Sequence, residues 1–415
     1  MNAHTESQIQ NTFLAPAAIL LAGFVADLSL WPRGSFPRVV PVDASNYFST
    51  AVIERAEDFR GLQSWLGVAG LLTLVAVPLA FAVWWPRDRA GQGLSGGWPR
   101  RAVLIAGIPA IVALTAFAAA LPFQLVAFSR SRDVGLTVQP VGEWLADRAL
   151  AAVLTSLGVA LLASVAVLLV RRLRRAWWPV FWAVLLAFAA AVQLLAPIAL
   201  APLFADFRPL PAGSARDDVT ALARSADVRP GEILVVDAAG RTNAANAYVG
   251  GLGTTKRVVL YDTLLRDFDR RQQRQVIAHE LGHAHYGDIT RGLVWFAGVS
   301  LICLPAIDLI ARRLARRRGV EVGAPAFSVM LIAAAMVAVT LSQPAANAYS
   351  RAVEARADAF ALRVTADPAA GVSLARRLAV RNISRPRPPW LLHALLGTHP
   401  TPIERIGMAE ALRRR

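Results

Sequence analysis

Six histidines are scattered through 415 residues, and two of them stand four apart with a glutamate between them: His279-Glu280-Leu281-Gly282-His283. On a helix, positions i and i+4 share a face, so the two imidazoles can hold one metal ion together. Glu280, turned one residue step from that face, is placed to draw a proton from a water on the metal. Random placement of 6 His and 10 Glu in a chain of this length gives about 0.002 such patterns, so two unrelated surface histidines are a weak explanation. His285 lies close by but off the shared face, and reads as a bystander.

A catalytic zinc takes three protein ligands and keeps a fourth position open. The third is sought in Ser350-Arg351-Ala352-Val353-Glu354-Ala355-Arg356-Ala357-Asp358, where Glu354 and Asp358 again stand i and i+4. Glu354 can complete the ligand set, and Asp358 can accept the ring N–H of a ligand histidine. Taken alone, such an acidic pair is an ordinary solvated helix face. Topology favours the other reading, because two apolar spans separate His283 from Glu354 and so return both segments to one side. Farther on, Thr398-His399-Pro400-Thr401-Pro402-Ile403-Glu404-Arg405 places His399 and Arg405 near a proline-fixed turn. A donor there, facing the metal, would stabilise a developing oxyanion; a solvated His399 is the alternative. Asn246-Ala247-Tyr248-Val249-Gly250 reads as an edge strand able to pair with an extended peptide. A non-catalytic protein with structural zinc would fill all four positions, mostly with sulfur or histidine. Three candidate ligands and a glutamate where a base belongs do not suit it. His4 and His393 belong to no constellation.

These side chains need a scaffold, and composition names its class. The chain is 55% hydrophobic and 17% charged, with mean hydropathy +0.45, against about 25% charged residues in soluble domains. That excludes disorder and argues against a purely soluble protein. Seven stretches are long and apolar enough to cross a bilayer: near 12–31, 64–85, 102–128, 149–170, 177–203, 291–311 and 324–346. No Lys or Arg precedes the first, so it reads as an uncleaved anchor. Trp31, Trp84, Trp85, Trp98, Trp177 and Trp178 fall at span ends, as an interfacial belt requires. The expected organisation is a membrane domain at 1–203, a first part of the metal-binding domain at 204–290, a transmembrane hairpin at 291–346 and a second part of that domain at 347–415. Within 204–290 the pattern predicts a helix near 213–226, β runs at Glu232–Asp237 and Arg257–Tyr261, and a helix from Asp267 or Asp269 to about Gly287. The tail reads as helix, a proline-rich break at 385–389, and a last short helix. Cys303 is the single cysteine, so no internal disulfide forms.

The formal net charge is +16, carried by arginine except for Lys256. Neither a clustered basic face nor a nucleic-acid fold is visible, so no nucleic-acid partner is expected. Thirteen arginines sit in three short loops, near 86–101, 171–176 and 312–323.

The residues resemble the type-1 CAAX prenyl proteases, integral-membrane zinc metalloproteases. Tyr47-Phe48-Ser49 with Ile53-Glu54-Arg55-Ala56, Leu121-Pro122-Phe123, Trp144-Leu145-Ala146-Asp147 and Ala196-Pro197 through Phe204 follow in order. Then come Asn246-Ala247-Tyr248, Val258 through Leu265, the His279–His283 helix, Ser350-Arg351 to Asp358, and Thr398-His399-Pro400. The resemblance covers about residues 45–410. It implies an α-helical membrane protein with seven helices around a chamber, and a small, mostly helical zincin-like domain closing one end. It implies one zinc per chain on His279, His283 and Glu354, catalysis by Glu280, and a supporting role for Asp358. Substrate or transition-state contacts would come from His399, Arg405 and Asn246. The partners implied are membrane lipids and a peptide or protein substrate, possibly lipid-modified. His283-Ala284-His285-Tyr286-Gly287-Asp288 is closer to the bacterial heat-shock membrane proteases, which makes membrane-protein quality control the alternative function. Arginine-heavy usage points to a bacterial plasma membrane, where prenylated substrates are not expected. The arginine loops put the catalytic face outside the cytoplasm. The resemblance puts it inside, and that placement is the one taken here.

Overall fold

The computed structural model describes residues 31–32, 39–85, 97–229, 231–251 and 256–414. Four long helices come first: α1 (Thr50–Trp84), α2 (Trp98–Asp133), α3 (Val141–Leu173) and α4 (Trp177–Leu195). Pro197 removes a backbone donor, and α4 continues as a π turn at Ala196–Leu200 and a 3-10 turn at Ala201–Leu203. A small sheet domain follows, with β1 (Phe207–Pro209), α5 (Ser214–Ser225), β2 (Glu232–Val236), β3 (Ala247–Gly250), β4 (Arg257–Tyr261), α6 (Asp262–Asp267) and α7 (Arg270–Tyr286). The chain then crosses back and forth on α8 (Asp288–Arg318) and α9 (Phe327–Thr365). It ends in α10 (Pro368–Arg381), α11 (Trp390–Leu396) and α12 (Pro402–Arg413).

Among the described residues six helices are long and apolar enough to cross a membrane. They correspond to the second through seventh expected spans; the first, near 12–31, lies outside the described residues except for Trp31. Every one of these helices except α4 is longer than the apolar run expected there. The 35 residues of α1 extend about 52 Å, against roughly 30 Å of hydrocarbon. Its first turns are polar, capped by the Ser49 side chain on the Val52 N–H, and they carry the chain beyond the bilayer. The boundary expected at 346/347 falls inside α9, one unbroken helix of 39 residues.

Successive crossings alternate in direction, which fixes two ends. The turn after α2 packs Val134 and Leu136 against Ala56, Phe59 and Ile383, at the end that bears the sheet domain. The turns at 174–176 and 319–326 lie at the other end, over a core that includes Trp177, Phe327 and Met330. The arginine-rich turns and the sheet domain therefore occupy opposite ends of the bundle.

The sheet order is β1-β2-β4-β3, with β2 and β4 parallel and the two outer strands antiparallel to their neighbours. Valine and leucine dominate β4, and Val258, Val259 and Leu260 are buried, as a strand covered on both faces should be. On β3, Ala247 pairs with Leu260 and Gly250 with Arg257, leaving its other edge free of strand partners among the described residues.

Candidate metal centre

Helix α7 begins with a capping box in which Asp269 and Gln272 satisfy each other's backbone N–H groups. Asp267, the other expected cap, ends α6 instead and pairs with Arg266 and Arg381. Gly287, at φ 64, closes α7 in a left-handed turn, so Asp288 starts α8 in a new direction. Gly282 allows a close crossing. A Cβ there would lie 3.1 Å from Phe360 Cδ1 and 3.4 Å from Ala357 Cα, both on α9.

That crossing brings Glu354 to the two histidines. His279 Nε2 and His283 Nε2 lie 3.2 Å apart. Glu354 Oε2 is 3.2 Å from the first, and Glu354 Oε1 is 3.6 Å from the second. The three residues offer ligand atoms all within 4.8 Å of one another. Tetrahedral zinc ligands at about 2.0–2.1 Å from the metal stand about 3.3–3.4 Å apart, so the donor set fits such an ion. Glu354 Oε2 is buried between the Nε2 atoms of His279 and His399. Burial opposes a charge on His279. The hydrogen bond and charge of Asp358, with those of Glu354, outweigh it and push the imidazole pKa up to about 10. The cluster is built to surround positive charge.

Each histidine is held from behind. His279 Nδ1 is 2.9 Å from Asp358 Oδ1, and the Arg405 guanidinium donates to the same oxygen. His283 Nδ1 is 2.9 Å from Asp288 Oδ2, and Arg356 donates to Asp288 Oδ1. With the ring N–H directed at a carboxylate, each Nε2 lone pair faces the cluster; the tautomer follows from these partners. Arg356 also stacks over Tyr286, 4.3 Å from the ring centroid. Sequence spacing assigns no role to Asp288 or Arg356. Their only signals were an acid five residues past His283 and a basic residue within the Glu354 segment.

The remaining candidates gather at one cavity of about 120 Å³, lined by Asn246, His279, Glu280, Asp358, His399 and Arg405. Leu264, Val276, Leu374 and Leu378 give it an apolar wall. Desolvation raises the Glu280 pKa, and a backbone hydrogen bond from Val249 on β3 opposes this. His399 Nε2 is 3.4 Å from Glu354 Oε2, with 59% of its side chain exposed. His285 turns away, hydrogen-bonded to the Ala226 carbonyl and stacked on Phe360.

A helical membrane bundle that carries this cluster at one end defines a membrane metallopeptidase. Residues 209–413 match the profile of Peptidase family M48, and residues 38–206 match that of the CAAX prenyl protease N-terminal domain, five membrane helices. The chain belongs to this family and is a membrane metalloprotease of the CAAX protease type. It is 27% identical over 376 residues to the uncharacterized metalloprotease YhfN of Bacillus subtilis, covering 89% of this chain and 88% of that relative. It is 30% identical over 234 residues to the CAAX prenyl protease 1 homolog of Oryza sativa, 55% of each chain. The crystal structure of S. mikatae Ste24p shares its fold, with a TM-score of 0.77 over 96% of both chains at 17% identity.

Proposed function

We propose that the protein is a zinc endopeptidase that cuts an extended polypeptide laid along β3. His279, His283 and Glu354 hold the ion, one per chain. When bound, zinc supplies Lewis-acid polarisation of the scissile carbonyl and acidifies water. Glu280 accepts a proton on its carboxylate and returns it to the departing amine nitrogen. Burial holds its pKa above the ordinary carboxylate value, the direction that favours a proton acceptor over a spectator anion. Asp358 fixes the His279 ring. Arg405 and His399, on the cavity wall, donate to the oxygen on which charge develops. Asn246, the residue before β3, donates to the substrate backbone, and the apolar wall receives an aliphatic side chain. The observation that carries this reading is the convergence of three ligand atoms within 4.8 Å beside the cavity that Glu280 lines.

The substrate that family likeness offers is a lipid-modified C-terminus. The purified enzyme should cleave a prenylated peptide in preference to its unprenylated twin, and a zinc chelator should stop both. Equal cleavage of both peptides, together with broad digestion of unfolded casein, would instead support the quality-control reading. We assign the membrane part to α1–α4, α8 and the first half of α9, and the peptidase part to the sheet domain, the second half of α9 and α10–α12. An impermeant thiol reagent decides which face holds the site. Labelling of Gly240→Cys only in broken cells gives a cytoplasmic site. Labelling of Gly240→Cys in intact cells, with Arg175→Cys protected, gives the face that the arginine distribution requires.

A further inference from the structure

We propose that the end of the bundle remote from the metal carries a binding site for the phosphate headgroup of an anionic phospholipid. The turn between α3 and α4 and the loop between α8 and α9 enclose a hollow. Arg171, Arg174, Arg175 and Arg312 line it, and Glu321 is the one acid in its lining. The frame is rigid. Trp177 donates its indole N–H to Asp308 Oδ1 at 2.9 Å, and Arg312 Nε donates to the same oxygen at 2.7 Å. Arg312 Nη2 also donates to the Arg174 carbonyl at 3.0 Å, tying the turn to α8. Arg174 itself is held at φ 53, a conformation rare outside glycine. Gly323, at φ +91, lets the opposite loop press on the Arg171 stem; a Cβ there would lie 2.7 Å from Arg171 Cγ.

Asp308 is thus satisfied by Trp177 and Arg312. Among the described residues no carboxylate pairs with Arg171, Arg174 or Arg175. Around the sheet domain several guanidinium groups do have partners: Arg270 and Arg274 share Asp218, Arg271 holds Asp367, and Arg381 holds Asp267. Three open guanidinium forks around one hollow suit a phosphate, which accepts paired N–H bonds. Apolar surface beside them specifies a lipid rather than a free ion. Leu168 and Leu173 on α3 and Leu309 on α8 expose 38–49% of their surface next to the arginines, where acyl chains would lie. Basic hollows between membrane helices of this kind take anionic headgroups.

The test uses the full-length protein in nanodiscs of phosphatidylcholine with and without phosphatidylglycerol, with retained lipids counted by native mass spectrometry. The variant Arg171→Gln/Arg174→Gln/Arg175→Gln alters exposed positions, and an unchanged melting temperature in detergent checks its fold. Arg316→Gln/Arg317→Gln/Arg318→Gln removes equal charge from the same end outside the hollow. Retained phosphatidylglycerol should fall about tenfold in the first variant and less than about threefold in the second. Equal losses in both would mean that only overall charge matters and would overturn the site. Displacement of the lipid by millimolar inorganic phosphate alone would overturn the lipid as its ligand.

Discussion

The two histidine arms repeat one chemistry in two environments. His279–Asp358–Arg405 and His283–Asp288–Arg356 each run imidazole, carboxylate, guanidinium. The first arm opens on the cavity: Asp358 and Arg405 both line it, and Arg405 keeps 23% of its side chain exposed. In the second the arginine is more deeply buried, in the seam between α7, α8 and α9, where Arg356 and Asp288 expose 7% and 9%, and the arm borders a separate hollow lined by His283, Asp288, Val249 and Lys256. The difference separates two duties. The first arm shares its cavity with Glu280 and can act on a substrate there, whereas the second, whose hollow lacks Glu280, acts by holding its histidine and the helices around it.

Replacing the base tests whether both arms are independent of the chemistry. Glu280→Gln should lower kcat by about 10²–10⁴-fold or more while zinc content stays at one per chain. Loss of the metal in that variant would show that the arms lean on Glu280. Next, Asp288→Asn leaves the buried Arg356 charge without its partner. Breaking such a pair costs about 3–5 kcal/mol, so its melting temperature should drop well below that of Asp358→Asn, whose arginine reaches the cavity. Both substitutions should weaken zinc about 10–100-fold, measured by competition with a chromogenic chelator. If Asp288→Asn leaves zinc affinity unchanged, the second arm is structural only.

Chelation sharpens the same contrast. Stripping the metal removes about 2.7 kcal/mol of stabilisation when zinc stood at 100 times its dissociation constant, and less in either asparagine variant. Arg405→Lys keeps charge but loses the planar fork, and should lower kcat with little change in melting temperature; Arg356→Lys should do the reverse. The smallest effect expected is that of Tyr286→Leu. It removes the ring under Arg356, costing about 1–2 kcal/mol of stability, with kcat untouched.

Much of this was legible in the sequence because its period is local. The apolar runs marked six of the crossings now described, and Asp269, the β runs and the edge strand fell where pattern placed them. The grouping of His279, His283 and Glu354 followed from helix spacing and an even count of crossings. The second arm was not legible. Asp288 follows a left-handed turn at Gly287, and no periodicity carries across such a turn. Arg356 shares its helix with Glu354 but points to a different neighbour, which only the close crossing at Gly282 determines. Strand β1 and helix α6, of three and six residues, are too short to show a period.

The unbroken length of α9 makes the metal site a lever. Glu354 lies 27 residues from Phe327, about 40 Å along the axis at 1.5 Å per residue. A tilt of only about 3° about the far end would carry its carboxylate roughly 2 Å, the length of a zinc–oxygen bond. Packing against its neighbours sets the tilt of α9, and hydrophobic mismatch with the bilayer perturbs it at a modest energy for each ångström. Turnover in vesicles of graded acyl-chain length should therefore pass through a maximum, with the thickness that leaves α9 untilted at its peak.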